Sequence, residues 1–433
     1  MHAAPRASEA PPIRFRGQAL RAAKSFTHGT HRCVSPEETL ERIRPHFATA
    51  GITRLADITG LDRIGIPTFV SYRPNGRTLS SAAGKGFTPA AAQVSAAMEA
   101  IELYHAENLR LPAVRATYAE LEQDGAVVPE ERLPLSRRAH FRRDHPEWWV
   151  QGWDVVGQRE VFLPHAAVSM VRHPGQRPIW SLPFVLDSNG LSSGNHFLEA
   201  AVAGLLEVIE RDATTCHMLA THRHGHRMPR VDLDAVEFPL VLDLLDGLKR
   251  AEVGAVLYDC TVDTGVPVYM TFIYDGLARH VGIGGGFGAH LDPEIAMVRA
   301  ITEAVQSRVV YIAGARDDVF RNDNDHFKVR DSQQGLAQLH DGPATAVAGL
   351  RQGGATGSFE GDMAVLIEKL GRVGLDQVIL TDLGHDEVGI PVVRVTVPGL
   401  EGYASHLYAA GPRAAAVCRA LAEPGGAGGG GAA

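Results

Sequence analysis

A glycine- and serine-rich turn that leads directly into an acidic helix constrains this 433-residue chain more than any other feature. The turn covers residues 188–195, and its backbone N–H groups can surround an anion at the start of the helix. The helix carries Glu199, Glu207 and Glu210, and Arg211 follows the last of them. At about 100° per residue the three carboxylates share one flank of a mostly apolar helix, so they are partly buried and need cations or hydrogen bonds. The segment therefore predicts a nucleotide held through metal ions, without a P-loop.

A second helix with the same arrangement is predicted over residues 89–109. It follows a glycine-containing turn at residues 83–86 and presents Glu99 and Glu102 on one side.

A third helix is predicted over residues 292–314, with Asp292 as N-cap and Pro293 at the first helical position. It follows a glycine-rich turn and presents three polar side chains on one flank, Arg299, Glu303 and Gln306. One such helix on its own is most often a solvated acidic surface. Three of them, each on an alanine-rich helix, favour a single shared site that is rich in glutamate.

Taken together, these segments resemble the YcaO family of ATP-dependent enzymes, which activate a backbone amide of a peptide or protein, and the resemblance runs from about residue 29 to about residue 401. It implies a YcaO-type fold with ATP and Mg2+ as cofactors. The residues that it assigns to the nucleotide site are Arg32, Glu99, Glu102, Ser192, Asn195, Glu199, Glu207, Glu210, Arg211, Arg299 and Glu303. The six glutamates of this set are the implied Mg2+ ligands, Glu210, Arg211 and Arg299 are the implied catalytic residues, and Thr39 falls near a further nucleotide contact.

In the chemistry that the resemblance implies, the group to be activated is a backbone amide, whose carbonyl carbon is a poor electrophile. The nitrogen of an amide donates into its carbonyl, and phosphorylation makes the oxygen a good leaving group after a nucleophile has added. A Cys, Ser or Thr side chain then gives an azoline, an amine gives an amidine, and sulfide gives a thioamide.

Features outside the ATP site favour the thioamide. The azoline-forming branch of the family typically ends in Pro-x-Pro-x-Pro, whereas this chain ends in glycine and alanine after a single proline, Pro424. Short segments resemble the thioamide-forming branch at residues 29–32, 35–40, 51–54, 64–67 and 314–318. Members of that branch commonly work with a TfuA protein and a sulfur source, so we expect both as partners, with a precursor peptide or protein as substrate. Azoline or amidine formation, an ATP-dependent ligase for a small molecule and a non-catalytic peptide-docking scaffold remain alternatives.

Composition excludes several other classes of protein. A formal net charge of −8 without a run dense in lysine or arginine argues against a nucleic-acid or anionic-membrane surface. No apolar run reaches the roughly 18 residues of a membrane span, and residues 1–6 lack the apolar core of a signal peptide, which predicts a cytoplasmic protein. The four cysteines form no Cys-x-x-Cys pair and are predicted to be reduced packing residues. The oligomeric state stays open, a homodimer included.

Helical and strand patterns alternate along the chain, which predicts an α+β or mixed α/β fold. Further helices are predicted near residues 197–221, 239–251 and 361–373, and strands near 66–72, 148–154, 159–163, 255–259, 266–274, 378–382 and 391–397. We expect residues 1–20 to be a flexible lead-in, residues 21–415 a catalytic unit with its core at about 62–405, and residues 416–433 a disordered glycine-rich tail. A polar, glycine-rich stretch at about 318–360 predicts a mobile insertion.

Three other motifs fail on inspection. Residues 83–86 contain Gly-Lys but lack the Ser or Thr and the first glycine of a P-loop. The glycine-rich residues 284–289 lack the acidic partner of a dinucleotide site. His222, His224 and His226 alternate with other residues at a helix end, where a solvated turn is commoner than a metal site.

Overall fold

The computed structural model describes residues 11–125, 127–137, 140–275, 283–314, 339–341, 344–345, 354–402 and 408–423. Helices and strands alternate through these ranges, which confirms the predicted mixed α/β class. Most of the predicted insertion at about 318–360, and residues 424–433 of the predicted tail, lie outside them. The helices that the described ranges contain include none long and apolar enough to cross a bilayer.

The α-helices of the described part are α1 (Pro36–Ile43), α2 (Pro89–Glu107), α3 (Tyr118–Gln123), α4 (His165–Val168), α5 (Phe197–His224), α6 (Pro239–Arg250), α7 (Pro293–Ala313), α8 (Phe359–Arg372) and α9 (Pro412–Ala422). The strands are β1 (Ile13–Phe15), β2 (Gln18–Leu20), β3 (Arg54–Asp57), β4 (Thr68–Tyr72), β5 (Ser81–Lys85), β6 (Ala113–Ala116), β7 (Glu147–Asp154), β8 (Arg159–Pro164), β9 (Leu191–Ser193), β10 (Arg230–Val231), β11 (Val253–Asp259), β12 (Val268–Asp275), β13 (Gly284–Ala289), β14 (Ala344–Thr345), β15 (Ile379–Asp382) and β16 (Val392–Thr396).

Three sheets carry the fold. One has the order β3-β4-β5, the second β13-β12-β11-β10-β14, and the third β6-β7-β15-β16-β9 with β8 beside β7. In each sheet a strand at one edge, β5, β13 or β9, is followed in the chain by a long helix.

These edge strands and helices form three units of the same construction. Unit one is β5 with α2, unit two is β9 with α5, and unit three is β13 with α7. In every unit the helix begins four residues after the last residue of the strand, and the residue before the helix caps it: Thr88, His196 or Asp292 accepts a hydrogen bond from a first-turn N–H.

Small residues let each helix lie directly on its strand. A Cβ at Gly84 in unit one would collide with the backbone of Ala92 and Ala96, and a Cβ at Gly288 in unit three would collide with Ala296 and Ala300. These glycines are therefore required by close backbone approach.

Unit two solves the same packing problem differently. Ser192 stands at the position of those glycines, and its hydroxyl donates to Ala200 O at 2.7 Å. Gly204 makes room for it, since a Cβ at Gly204 would lie 2.6 Å from Ser192 Oγ.

The units close into a ring. Helix α2 packs on its own strand and on β9 of unit two, α5 packs on its own strand and on β13 of unit three, and α7 packs on its own strand and on β5 of unit one. Each helix thereby joins two units, and the middles of the three helices face one central space.

The glycine-rich segments before the helices were predicted as turns, and this is wrong for two of them. Residues 83–85 belong to β5 and residues 284–289 form β13, because the missing side chains allow the helix to cover the strand. The third segment, residues 188–195, contains the short strand β9.

The predicted chain ends also need correction. Residues 13–20, expected to be flexible, form a hairpin with Arg16 and Gly17 at positive φ in its turn, and Phe15 packs on Phe197 with ring centroids 4.5 Å apart. Residues 416–422, expected in the disordered tail, complete helix α9. That helix is held to α5 by an ion pair of Arg413 with Asp212 at 2.8 Å.

We predict that Gly288→Ala lowers the free energy of unfolding by about 1–3 kcal/mol, the usual cost of forcing an extra carbon into a packed interior. Gly247→Ala on α6 is the matched control, because the new Cβ would meet only Arg250 Nη2 at 3.8 Å. That control should gain about 0.5–1 kcal/mol from the better helix former. Urea unfolding measures both, and a Gly288→Ala variant as stable as wild type would contradict the close packing.

Candidate active site

The glutamates predicted from the sequence converge at the centre of the ring. Each unit contributes from the same two positions, ten and thirteen residues after the first residue of its helix. These positions hold Glu99 and Glu102 in unit one, Glu207 and Glu210 in unit two, and Glu303 and Gln306 in unit three. We call the five glutamates the carboxylate cluster.

Two members of the carboxylate cluster connect neighbouring units. Glu102 Oε1 accepts hydrogen bonds from the backbone N of Ser193 at 2.8 Å and from its hydroxyl at 2.6 Å. Glu210 Oε2 accepts from the backbone N of Ala289 at 2.9 Å. Ser193 and Ala289 are the last residues of β9 and β13, so the two bonds are equivalent in the ring.

The third junction has a different chemistry. Gln306 replaces the glutamate, and its Nε2 donates to Ala83 O at 3.3 Å. The last residue of β5 is Lys85, whose Nζ lies 2.9 Å from Glu303 Oε2. A neutral amide and an ammonium group therefore stand where the other junctions have a carboxylate and a backbone N–H.

Burial makes two of the carboxylates weak acids. Loss of solvation raises the pKa of Glu102 to about 8, with Glu99 and Glu207 adding to the shift. Loss of solvation also raises the pKa of Glu207 to about 7, although Arg211 opposes it. Without a bound cation, these two groups hold protons near neutral pH.

The pKa values of Glu210 and Glu303 are shifted in opposite directions. Burial raises the pKa of Glu210, and the charge of Glu303 adds to this. Burial acts to raise the pKa of Glu303 as well, but Lys85, Arg211 and Arg299 outweigh it and leave that pKa below its usual value. Charges from all three units therefore act on each other in one space.

Cations surround the carboxylate cluster. The guanidinium of Arg211 lies 5.9 Å from the ring centroid of Phe287. Arg299 keeps a buried Nε without a hydrogen-bond partner in the described ranges. With Lys85 they supply three positive groups beside five carboxylates, a set that fits both metal ions and phosphate oxygens.

A second group of predicted residues lies at the start of α5. Glu199 is 2% exposed, and its Oε2 accepts from the backbone N of Cys33 at 2.8 Å. Arg32 Nε lies 3.7 Å from Glu199 Oε1. Asn195 Nδ2 donates to Thr39 Oγ1 at 3.1 Å and to Glu199 Oε1 at 3.3 Å. The charges of Glu102 and Arg299 act on Arg32, so this group adjoins the carboxylate cluster.

Ser192 is placed differently from the other predicted residues. Its side chain is 6% exposed, and its hydroxyl proton is used in the strand–helix contact with Ala200. The hydroxyl that reaches the carboxylate cluster is that of Ser193, one residue later.

Lys85, which contacts the carboxylate cluster through Glu303, is not among the residues predicted from the sequence. As a glycine-containing turn or as an incomplete P-loop, residues 83–86 assign no role to the lysine. The available signal was its position four residues before the first residue of α2, which matches Ser193 before α5 and Ala289 before α7.

A polar cluster of Lys24, His31, His290 and Asp362 was also missed, because its members come from distant parts of the chain. The two imidazoles meet edge to face with centroids 4.8 Å apart, and Lys24 Nζ lies 2.5 Å from Asp362 Oδ2. Ligand atoms of His31, His290 and Asp362 lie within 4.8 Å of one another, but the ammonium of Lys24 already supplies a cation there. Burial lowers the pKa of His31 to about 3 and keeps it neutral beside Arg32.

The histidines near the end of α5 form no comparable group in the part of the chain that the structure describes. His226 Nε2 instead meets Nδ1 of the buried His217 at 3.2 Å.

Two relatives match nearly the full length of this chain. An uncharacterized protein of Methanothermobacter thermautotrophicus is 37% identical over 380 residues, which cover 86% of this chain and 95% of the relative. An uncharacterized protein in the tfuA 3' region of Rhizobium leguminosarum bv. trifolii is 33% identical over 397 residues, which cover 89% and 92%.

Solved structures share the fold. YcaO from Methanopyrus kandleri, bound with AMPPCP and Mg2+, has a TM-score of 0.69 and 27% identity and covers 88% of this chain and 95% of its own. A heterocyclase in complex with substrate and cofactor has a TM-score of 0.73 and 24% identity. The match covers 90% of this chain, which spans only 54% of the heterocyclase, so that likeness concerns the fold.

A family model described as YcaO cyclodehydratase, ATP- and Mg2+-binding, matches residues 83–401. That stretch contains units two and three, unit one from the third residue of β5 onward, and the whole carboxylate cluster. ATP and Mg2+, the cofactors expected from the sequence, are those of this description. On the family match and the two long relatives, the chain belongs to the YcaO family.

Proposed function

We propose that this protein uses ATP and Mg2+ to phosphorylate the oxygen of a peptide backbone amide, and that sulfide then converts the amide into a thioamide. The observation that carries the first part is the carboxylate cluster, in which three units place five glutamates around one space with three cations. A scaffold that only docks a peptide has no use for buried acids whose pKa values lie at 7 to 8.

The carboxylates are the groups that would hold Mg2+. Oxygen ligands suit this ion, and Glu99, Glu102, Glu207, Glu210 and Glu303 offer them from all three helices. Glu199 would add a further oxygen beside Asn195 and Arg32 at the start of α5. When held by these carboxylates, Mg2+ would supply positive charge that neutralises part of the triphosphate.

The cations would bind the phosphate oxygens. We assign Arg211 and Arg299 to the charge that develops on the transferred phosphoryl group, since both act electrostatically on Glu207 and Glu303. We add Lys85 to this set, because its ammonium reaches the cluster from the last residue of β5. Within the described ranges, Arg299 Nε has no hydrogen-bond partner.

The reaction balances as one ATP for each amide. Hydrosulfide adds to the carbonyl carbon, the carbonyl oxygen takes the terminal phosphoryl group, and the carbon–oxygen bond breaks to release phosphate. The products are the thioamide, ADP and phosphate.

Sulfide as the nucleophile is supported by the relative in the tfuA 3' region, which is 33% identical over 89% of this chain. This also supports a TfuA-like partner and a sulfur source. Azoline formation is the second candidate, because the family description is that of a cyclodehydratase.

Mass spectrometry of a co-expressed peptide distinguishes the two products. The protein, a TfuA-like partner and a candidate precursor peptide from the same genome are produced together, and the intact peptide is weighed. We expect a gain of about 16 Da per modified residue for oxygen-to-sulfur exchange, whereas a loss of about 18 Da indicates an azoline ring. An azoline product would contradict the thioamide assignment and leave amide activation standing.

Glutamine variants test the role of the carboxylate cluster. Glu207→Gln and Glu210→Gln keep the shape of the side chain but remove its charge, so each should lower peptide-dependent ATP hydrolysis by about 100-fold or more. Glu368→Gln is the matched control, because Glu368 is exposed on α8 and, among the residues that the structure describes, pairs with the exposed Arg372. Unchanged peptide processing in both site variants would contradict the proposal that this protein is an ATP-dependent enzyme.

The raised pKa values predict an unusual pH dependence of stability. The pKa of Glu102 rises from 4.5 to about 8 on folding, so between these values the folded protein binds more protons than the unfolded chain. Below pH 7 the buried histidines, whose pKa values lie below 6.5, act in the opposite direction. The metal-free protein is therefore expected to lose stability as the pH rises from 7 to 8.5, where Glu102 keeps its proton only in the folded state. Mg–AMPPCP should stabilise it most at the high end of this range, where the carboxylates are free to bind metal.

Melting temperatures across this pH range measure the effect. Glu102→Gln should flatten the decline, and Glu368→Gln should keep the wild-type slope. A metal-free protein whose melting temperature rises from pH 7 to 8.5, with no difference between the two variants, would argue against buried protonated glutamates.

A further inference from the structure

The three junctions of the ring, where the helix of one unit meets the strand end of the next, are not alike in charge. The first joins Glu99 and Glu102 of α2 to β9, and the second joins Glu207 and Glu210 of α5 to β13. The third joins α7 to β5, and of the two cluster positions on α7 one holds a carboxylate, Glu303.

A neutral side chain takes the place of the second carboxylate at the third junction. Gln306 occupies the position that holds Glu102 in α2 and Glu210 in α5, thirteen residues after the first residue of the helix. Its Nε2 donates to Ala83 O at 3.3 Å. This bond ties α7 to the next strand, as the two carboxylates tie their helices, but it adds no negative charge.

The end of the strand differs as well. Ser193 and Ala289, the last residues of β9 and β13, meet the preceding helix through their backbone N–H groups. Lys85, the last residue of β5, meets it through its side chain, with Nζ 2.9 Å from Glu303 Oε2. A positive charge fixed to the chain therefore stands at the third junction.

The charge of each junction follows from these residues. When ionised, two carboxylates give the first and the second junction a formal charge of −2 each. At the third junction the ammonium of Lys85 cancels the charge of Glu303. A divalent cation thus matches the first two junctions in charge, whereas the third is already neutral.

Lys85 also stands in the way of a metal ion at the third junction. Its side chain is 18% exposed and that of Glu303 26%, so neither is sealed in the core. A metal ion at Glu303 Oε2 would have to displace the ammonium or lie beside it, and like charges repel strongly in a partly buried site. The affinity of oxygen ligands for such ions also rises with the number of charged ligands, and Gln306 supplies none.

This pairing leaves Glu303 a role in metal binding. Its charge acts on Glu210 of the second junction, so the two carboxylates are neighbours. Lys85 bonds to Oε2, one of the two oxygens of Glu303. Glu303 can therefore contribute to an ion at the second junction while Lys85 occupies the third.

We propose that Lys85 is a built-in cation that takes the place of a metal ion at the third junction, and that Lys85 and Gln306 together restrict metal binding to the other two. The ring then has metal ions on one side and an ammonium on the other, which gives a bound triphosphate a single orientation. Lys85 is a positioning residue in this sense. The inference rests on the proposed function, since it concerns the Mg2+ and ATP of the same site.

Equilibrium dialysis of the full-length protein against Mn2+ and saturating AMPPCP tests this by counting bound ions. Mn2+ takes the same oxygen ligands as Mg2+, and bound metal and bound nucleotide are measured on the same sample. The double variant Lys85→Met/Gln306→Glu removes the ammonium and supplies the second carboxylate, so the third junction becomes like the others. We expect it to bind about one Mn2+ per chain more than wild type.

Two further proteins serve as controls. Gln306→Glu alone should bind the wild-type number of ions, because Lys85 still pairs with Glu303. The double variant Lys249→Met/Gln18→Glu makes the same two changes of charge at exposed positions of α6 and β2. It should also bind the wild-type number of ions.

A converse variant tests the same idea at another junction, which matters if Lys85→Met/Gln306→Glu does not fold. Ser193→Lys places an ammonium at the end of β9, the position equivalent to Lys85. Its backbone N–H can still donate to Glu102. We expect this variant to bind about one Mn2+ per chain fewer than wild type.

An unchanged number of bound ions in folded Lys85→Met/Gln306→Glu or Ser193→Lys, with AMPPCP bound, would overturn the inference. So would an additional ion in Gln306→Glu alone, because Lys85 would then fail to exclude it. A wild-type protein that binds no Mn2+ together with AMPPCP would instead contradict the proposed function.

Discussion

The hydrogen bond from a helix carboxylate to the end of the next strand is the interaction on which the rest of this structure depends. Glu102 and Glu210 each accept the backbone N–H of the residue that closes a neighbouring strand, Ser193 or Ala289. A carboxylate that accepts such bonds recovers part of the solvation that it loses on burial. The same two bonds fix one unit against the next, so the architecture of the ring and the position of the acidic groups are decided together.

The buried charges of the carboxylate cluster, which suit it to bind a nucleotide and metal ions, also destabilise the fold. The carboxylate cluster gathers more negative charge than its hydrogen bonds can compensate, and Glu102 and Glu207 respond by holding protons up to a pKa of about 8 and about 7. Lys85 relieves the third junction by pairing with Glu303. A polyvalent cation with a phosphate ligand would satisfy both signs of charge at once, which is the physical basis for a nucleotide site without a phosphate-binding loop.

Sequence reasoning found the three helices within a few residues of their ends and the glutamates on them, because a polar residue on an apolar helix is a local signal. It placed the glycine-rich segments in turns because glycine is unfavourable in strands, and only the backbone contact of Gly288 with Ala296 explains the exception. The hairpin at residues 13–20 was hidden by a proline- and arginine-rich context, and Phe15 is held by a distant partner, Phe197.

The shared register of the units was missed, since they recur about 100 residues apart with little sequence in common. The pairing of Lys85 with Glu303 becomes visible only when the chain is folded.

The three units also differ from the segments between them in how they tolerate a change of length. Only three residues separate strand from helix in each unit, and one inserted residue there would turn the glutamates by about 100° away from the centre. The described parts of residues 108–190 and 225–283 contain further elements outside the three units, and extra length in such connections costs little entropy. Insertions and deletions in descendants of this sequence should therefore accumulate between the units, so new substrate-handling segments can be gained without disturbing the central site.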